Sequence, residues 1–226
     1  MFRRIIPLTL MAALLALVPA RTDDFPKETG LYDGFTPLFN GMDLTGWKAS
    51  GKMEDWSVDG STLYTKGGGG GWLMTDKEYG DFEVYVDFKM PLSGGGNSGV
   101  AIRAPFQGDA AYQGMEIQLL DDAWHRDPAH FKGLKPVQLT GSIYGVVPPS
   151  HEALKPVGEW NTIHITAKGR QVTVELNGIK TVDASLDDHK DQFKQHPGLT
   201  REAGHIGLQS HSNRVEFRNI YVKELQ

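Results

Sequence analysis

The sequence predicts an all-β protein, a sandwich of two antiparallel sheets, and three observations carry that reading. Apolar residues past the N-terminal segment recur almost throughout with a period of two. Reversal signals such as Asp59-Gly60 and Asn177-Gly178 separate these runs. No stretch repeats an apolar face over three helical turns, so two packed sheets are the economical way to bury a core. The 27 glycines among 226 residues agree with a chain of many turns. They make up about 12% against a usual level of about 7%, and they show no period of three, which excludes collagen. The absence of cysteine excludes a disulfide framework, a thiolate nucleophile and sulfur-ligated metal sites. Any chemistry therefore rests on carboxylates, imidazoles, amides and hydroxyls.

Arg3 and Arg4 precede an apolar run over residues 5–18, and Val18-Pro19-Ala20 suits a signal peptidase. Residues 1–20 thus read as a signal peptide, and the mature protein as periplasmic or secreted. The run is short for a membrane span and contains Pro7, so no stable membrane insertion is expected. Residues 21–34 form a lead-in, and residues 35–226 form a single sandwich domain.

Residues 58–66 carry the first hairpin signal, Asp59-Gly60. The run Gly67 to Gly71 lies between strand-like neighbours and lacks the lysine of a phosphate loop, so it reads as a flexible loop inside the domain. Phe82, Val84, Val86 and Phe88 alternate with polar residues as a half-buried strand. Ile163 and Ile165, then Val172, Val174 and Leu176, then residues 179–182 form a three-strand meander turned at Lys168-Gly169-Arg170 and at Asn177-Gly178. Residues 183–193 and 128–131 have room for a helical turn or two. In the last strand Val215 and Phe217 are in step until Asn219 shifts the phase toward Ile220 and Val222, which predicts a bulge.

The formal charge is −5. Signal removal takes two Arg and no acid, leaving 21 Lys and Arg against 28 Asp and Glu, a net −7. An acidic surface without a basic aromatic stripe argues against nucleic acid as a partner.

Strand parity proposes a site. With Val100, Ile102, Met115, Ile117, Leu119, Ile206 and Leu208 facing the core, Arg103, Glu116, Gln118, His205 and Gln209 share the opposite face, with His211 in line and Gly207 leaving clearance. A merely solvated sheet face gives the same alternation. Amides, a guanidinium, an imidazole and one acid nevertheless suit sugar hydroxyls better than a generic Lys and Glu surface does. Asn97, Tyr112, Asp121, Asp122, Trp124, His125, Arg126, Asp127 and His130 supply a rim, with Trp124 a stacking platform or the cover of a core edge. The stretch DDAWHRD offers oxygen ligands for a divalent cation, although it does not match the calcium-loop spacing, and its acids also suit turn capping. Ser98, Ser210 and Ser212 lack a nucleophile elbow, and His164 reads as an ordinary sheet-face residue.

FTPLFNGMDLTGW at 35–47, NSGVAIR at 97–103, GMEIQLLDD at 114–122, GEWNTIHITAKGRQVTVELNG at 158–178 and GHIGLQSHSNRVEFRNIYV at 204–222 together resemble the 3-keto-disaccharide hydrolase family, over about residues 35–224. The resemblance implies a concanavalin-like jelly roll with sugar bound over its concave sheet. It also implies a secreted or periplasmic enzyme acting on 3-keto-glycosides. It places Arg103, Glu116, Gln118 and Gln209 on the carbohydrate face, with Asp121, Asp122, Trp124 and His125 as a rim. In a 3-keto sugar the C2 proton is acidic, so a base can remove it and the oxygen on C1 can leave. The expected roles are Glu116 or His205 as base, Arg103 and Gln118 holding hydroxyls or the enolate, and His125 or a loop acid assisting the leaving oxygen. Asn97, Asp121, Asp122, Trp124, Gln209 and His211 contact the substrate, and a divalent ion at the rim is an alternative source of enediolate stabilisation. The alternatives are a noncatalytic carbohydrate-binding protein with the same groove and a structural or adhesion domain.

Overall fold

The computed structural model describes residues 32–226; the expected signal peptide and nearly all of the lead-in lie outside them. Thirteen strands form two antiparallel sheets. In chain order they are β1 (Thr36–Pro37), β2 (Trp47–Ala49), β3 (Trp56–Asp59), β4 (Thr62–Thr65), β5 (Trp72–Tyr79), β6 (Phe82–Lys89), β7 (Asn97–Ala104), β8 (Met115–Leu120), β9 (Trp160–Lys168), β10 (Gln171–Leu176), β11 (Ile179–Ser185), β12 (Gly204–Gln209) and β13 (Val215–Glu224). The larger sheet runs β11-β10-β9-β6-β13-β4-β3, with β1 paired to β13. The smaller runs β2-β5-β12-β7-β8.

The predicted meander is present as β9, β10 and β11. Asn177 and Gly178 both take positive φ, the backbone that lets a two-residue turn follow the strand twist. Asn219 sits at φ 48° where β13 shifts register against β6, so the expected bulge is there as well. The predicted turns within 183–193 are a 3₁₀ segment, Leu186–Gln192. Residues 128–131 form only a turn, and the helix of that region, α2 (Asp122–Arg126), lies just before it.

One apolar cluster fills the space between the sheets, drawing Phe82, Val84, Val86 and Phe88 from β6, Ile117 and Leu119 from β8, and Ile206 and Leu208 from β12. A second cluster covers part of the other face of the smaller sheet: Trp72, Met74, Ala101, Ala104, Ala110 and Ala111, with Phe106 against them. Ala110 and Ala111 belong to α1 (Ala110–Gln113), whose start is capped by the Asp109 carboxylate accepting from the Ala111 N–H. The smaller sheet is therefore buried on both faces at one end, which explains why β7 and β8 are apolar or buried at nearly every position. The free edge of β8 is covered by residues 141–144. The Gln118 N–H donates to the Ser142 carbonyl, the Gly141 N–H to the Gln118 carbonyl and the Tyr144 N–H to the Glu116 carbonyl. This pairing brings Tyr144 beside Glu116.

Candidate active site

Where α1 stops covering the smaller sheet, a cleft of about 370 Å³ opens over β7, β8 and β12. Its floor follows from pairing: Ala101 lies opposite Glu116, Gly99 opposite Gln118 and Asn97 opposite Leu120. Glu116 is only 3% exposed, and its Oε1 has no hydrogen-bond partner among the described residues. Burial pushes its carboxyl up to about 8, with the Asp109 charge adding in the same direction. Gly99 is what admits this side chain, since a Cβ there would overlap the Glu116 carboxylate. Gln118 donates from Nε2 to Asn97 Oδ1 at 3.3 Å, which leaves the Asn97 amide and a second Gln118 N–H for a ligand. Gln209 also faces the cleft, and its Oε1 is buried without a partner.

Two imidazoles complete the polar wall. His125, in α2, hydrogen-bonds through Nδ1 to the Asp121 carbonyl at 2.9 Å. A carbonyl only accepts, so Nδ1 carries a proton and Nε2 remains for the cleft. His211 lines the same cleft, and desolvation followed by the His125 charge holds it below the usual histidine range. The glycine run positions His211 instead of swinging free as a flexible loop. The Gly69 N–H donates to the His211 carbonyl, and a Cβ on Gly67 would lie 2.6 Å from the Ser212 carbonyl oxygen.

Of the residues expected to catalyse or contact substrate, the cleft brings together Asn97, Glu116, Gln118, His125, Gln209 and His211, with Tyr112 of the expected rim beside them, and it leaves out Arg103, His205, Asp121, Asp122 and Trp124. Arg103 is the largest correction. It sits at φ 47° in an irregularity between β7 and β12, so Ala104 takes the cleft-side parity expected of Arg103. Its guanidinium, 0% exposed, donates to the carbonyls of Gly80, Gly169 and Arg201 and to Asp81 Oδ1. It ties turns together and does not hold sugar.

His205 lies opposite Ala104 and Glu78, away from the cleft, with its Nδ1 bonded to the Thr75 carbonyl and Phe106 5.8 Å from its ring. Asp121 caps α2, accepting from the Trp124 and Gly95 N–H groups, and Asp122 accepts from the Thr140 N–H and hydroxyl. Those lone pairs are directed at fixed donors instead of at a common point. No group of three acids or imidazoles converges on a metal position among the described residues, so the donor set does not fit a divalent ion at this rim. Trp124 stacks on His130 at 3.6 Å and covers Gly94 and Gly95, so it is the cover and not the platform. Gly207 gives its clearance to the Met74 sulfur.

Parity could not reveal the remaining lining residues supplied by loops and helix ends: Asp109, Phe131, Leu134, Gln138 and Tyr144. Only Asp109 left a signal, as a capping acid just before two alanines.

A two-sheet sandwich with an amide-rich, carboxyl-bearing cleft on one sheet is a galectin-like jelly roll. It shares that fold with a Bacillus subtilis protein described as having a galectin-like fold, at TM-score 0.54 and 12% identity over 84% of this chain and 94% of that one. The chain belongs to the family described as the 3-keto-alpha-glucoside-1,2-lyase-like domain, which it matches over residues 34–223. It is 26% identical to a 3-keto-disaccharide hydrolase of Bacteroides thetaiotaomicron, covering 85% of this chain and 79% of that protein. A crystal structure of a candidate glycosyl hydrolase from Parabacteroides distasonis superposes with a TM-score of 0.72 at 27% identity, covering 86% and 95% of the two chains.

Proposed function

We propose that the cleft cleaves 3-keto-glycosides, 3-keto-disaccharides among them, by removing the proton on C2 and expelling the oxygen on C1. The observation that carries this reading is Glu116, a buried carboxyl that lines the cleft, is raised to about 8 and has one oxygen without a hydrogen-bond partner. Family membership and the carbohydrate-active relatives support it. Abstracting a proton from carbon next to a ketone calls for a base stronger than an exposed carboxylate, and burial makes Glu116 one.

Ionised Glu116 takes the C2 proton, and the C–H electrons form the enolate of the C3 ketone. The free amide N–H groups of Asn97 and Gln118 stabilise that oxyanion. The enolate then collapses to a C1–C2 double bond and expels the C1 oxygen, which takes the Nε2 proton of the His125 imidazolium, leaving the neutral ring with its Nδ1 proton on the Asp121 carbonyl. Addition of water across the double bond turns the elimination into net hydrolysis, returning a proton to C2 and a hydroxyl to C1. Gln209 Oε1 accepts from a sugar hydroxyl during these steps.

The test compares a plain disaccharide with its 3-keto form. The parent protein should release sugar from the keto form alone, and Glu116→Gln should lower kcat/KM by about 10³-fold. Equal cleavage of both forms, or a Glu116→Gln variant at the parent rate, overturns the mechanism. Binding of both forms without turnover selects the noncatalytic carbohydrate-binding protein instead.

A further inference from the structure

The walls of the cleft differ in chemistry. The sheet side carries Asn97, Glu116, Gln118 and Gln209, whereas the segment over residues 127–139 contributes Phe131 and Leu134, and Leu120 at the end of β8 lines the same cleft. Phe131 is 41% exposed, an apolar ring held at the cleft mouth. Its place is set by the backbone: the His130 and Phe131 N–H groups both donate to the Asp127 carbonyl, and the Asp127 carboxylate accepts from the Ala129 N–H. Gln138, the amide on this wall, is internally engaged. Its Oε1 accepts from the Lys135 N–H and its Nε2 donates to the Tyr144 hydroxyl. A second sugar ring against this wall would find few partners for its hydroxyls.

The ring of Phe131 lies 5.9 Å from that of His125, at 60°. His125 is the group that protonates the departing oxygen, so what lies beyond it is the leaving group. We infer that Phe131, Leu134 and Leu120 form an aglycone subsite for an apolar or aromatic alcohol, so that the preferred substrates are 3-keto-glucosides of such alcohols rather than 3-keto-disaccharides. This rests on the proposed function for the direction of cleavage; the apolar wall stands independently of it.

Benzyl and methyl 3-keto-glucosides of the same anomer form the decisive pair, because their alcohols leave about equally well and differ in the ring. The parent should prefer the benzyl compound by about tenfold in kcat/KM, the scale on which an apolar pocket discriminates one group. It should also prefer it to a 3-keto-disaccharide. Phe131→Ala should erase the preference through KM while methyl turnover stays within about twofold, and Phe131→Leu should keep most of it. A parent that does not distinguish the pair, a disaccharide that outperforms the benzyl glucoside, or a Phe131→Ala variant that slows all substrates alike overturns the subsite. If the parent cleaves no 3-keto-glycoside, the proposed reaction falls. The subsite is then judged by calorimetric titration of benzyl glucoside against glucose: tighter binding of the benzyl compound, lost in Phe131→Ala, supports it, and equal affinity overturns it.

Discussion

Arg103 and Glu116 are charged side chains on adjacent strands of one sheet, both nearly sealed from water, and they serve opposite ends. Every donor nitrogen of the Arg103 guanidinium reaches an acceptor, and those acceptors belong to three separate stretches of chain. Glu116 lines the cleft with one oxygen unpartnered, and the fold holds its ionisation well above the ordinary carboxyl range. A satisfied buried charge stabilises through its network, whereas an unsatisfied one costs stability and gains reactivity. The contrast locates the chemistry better than burial or charge does alone.

Neutralising each side chain in turn should move stability in opposite directions. Arg103→Met should lower stability by about 3 kcal/mol, because carbonyls and Asp81 lose their donor, and the melting temperature should fall by about 10 °C. Glu116→Gln should do the reverse. The folded pKa of about 8 lies above the unfolded value, so the parent is most stable relative to this variant below about pH 4.5 and loses that advantage as pH rises through 8. The variant should therefore melt higher at pH 9, gaining about 5 kcal/mol of stability, and show no gain at pH 4. Thermal melts at both pH values read each half, and a destabilised Glu116→Gln at pH 9 removes the contrast.

A smaller effect sharpens the Glu116 side. With Glu116 ionised and His125 protonated in the reacting form, kcat/KM should follow a bell in pH with one limb near 8 set by Glu116, and a profile that rises through 8 and levels removes His125 as the acid. Asp109→Asn removes the charge that adds to the shift, so the limb set by Glu116 should move to lower pH by less than a unit. A limb that stays in place separates Asp109 from the base.

The smallest effect belongs to His205. It shares a sheet with Glu116 but hydrogen-bonds to the Thr75 carbonyl away from the cleft, so His205→Ala should keep kcat/KM within about threefold on a 3-keto-glycoside. A loss as large as that of Glu116→Gln would restore it as a base.

The legibility of this molecule in its sequence follows the same divide. Period-two alternation located β6, β9, β10 and β13, because their inner faces pack on one core and their outer faces meet water. It also placed Glu116, Gln118 and Gln209 on one face, because pairing is regular there. Parity failed at Arg103, where one residue of left-handed backbone changes the count and no glycine stands at that position to announce it. Asp121 and Asp122 misled for another reason. A carboxylate that caps a helix and one that binds a ligand look alike in sequence, and only the N–H groups they meet tell them apart. Phe131, Leu134, Gln138 and Tyr144 come from segments without a period, so nothing in their spacing pointed to the cleft.

The Gly94-Gly95 dipeptide joins two parts of the site. Asn213 donates to both of its carbonyls, and Asp121 accepts the Gly95 N–H. His125 follows Asp121 by four residues and His211 precedes Asn213 by two, so two imidazoles on distant segments of chain are referenced to a single anchor. Their relative position is set when the chain folds, and a sugar entering the cleft does not have to organise it. The entropy of aligning donor and acceptor is thereby charged to synthesis of the protein, once, and not to each catalytic cycle.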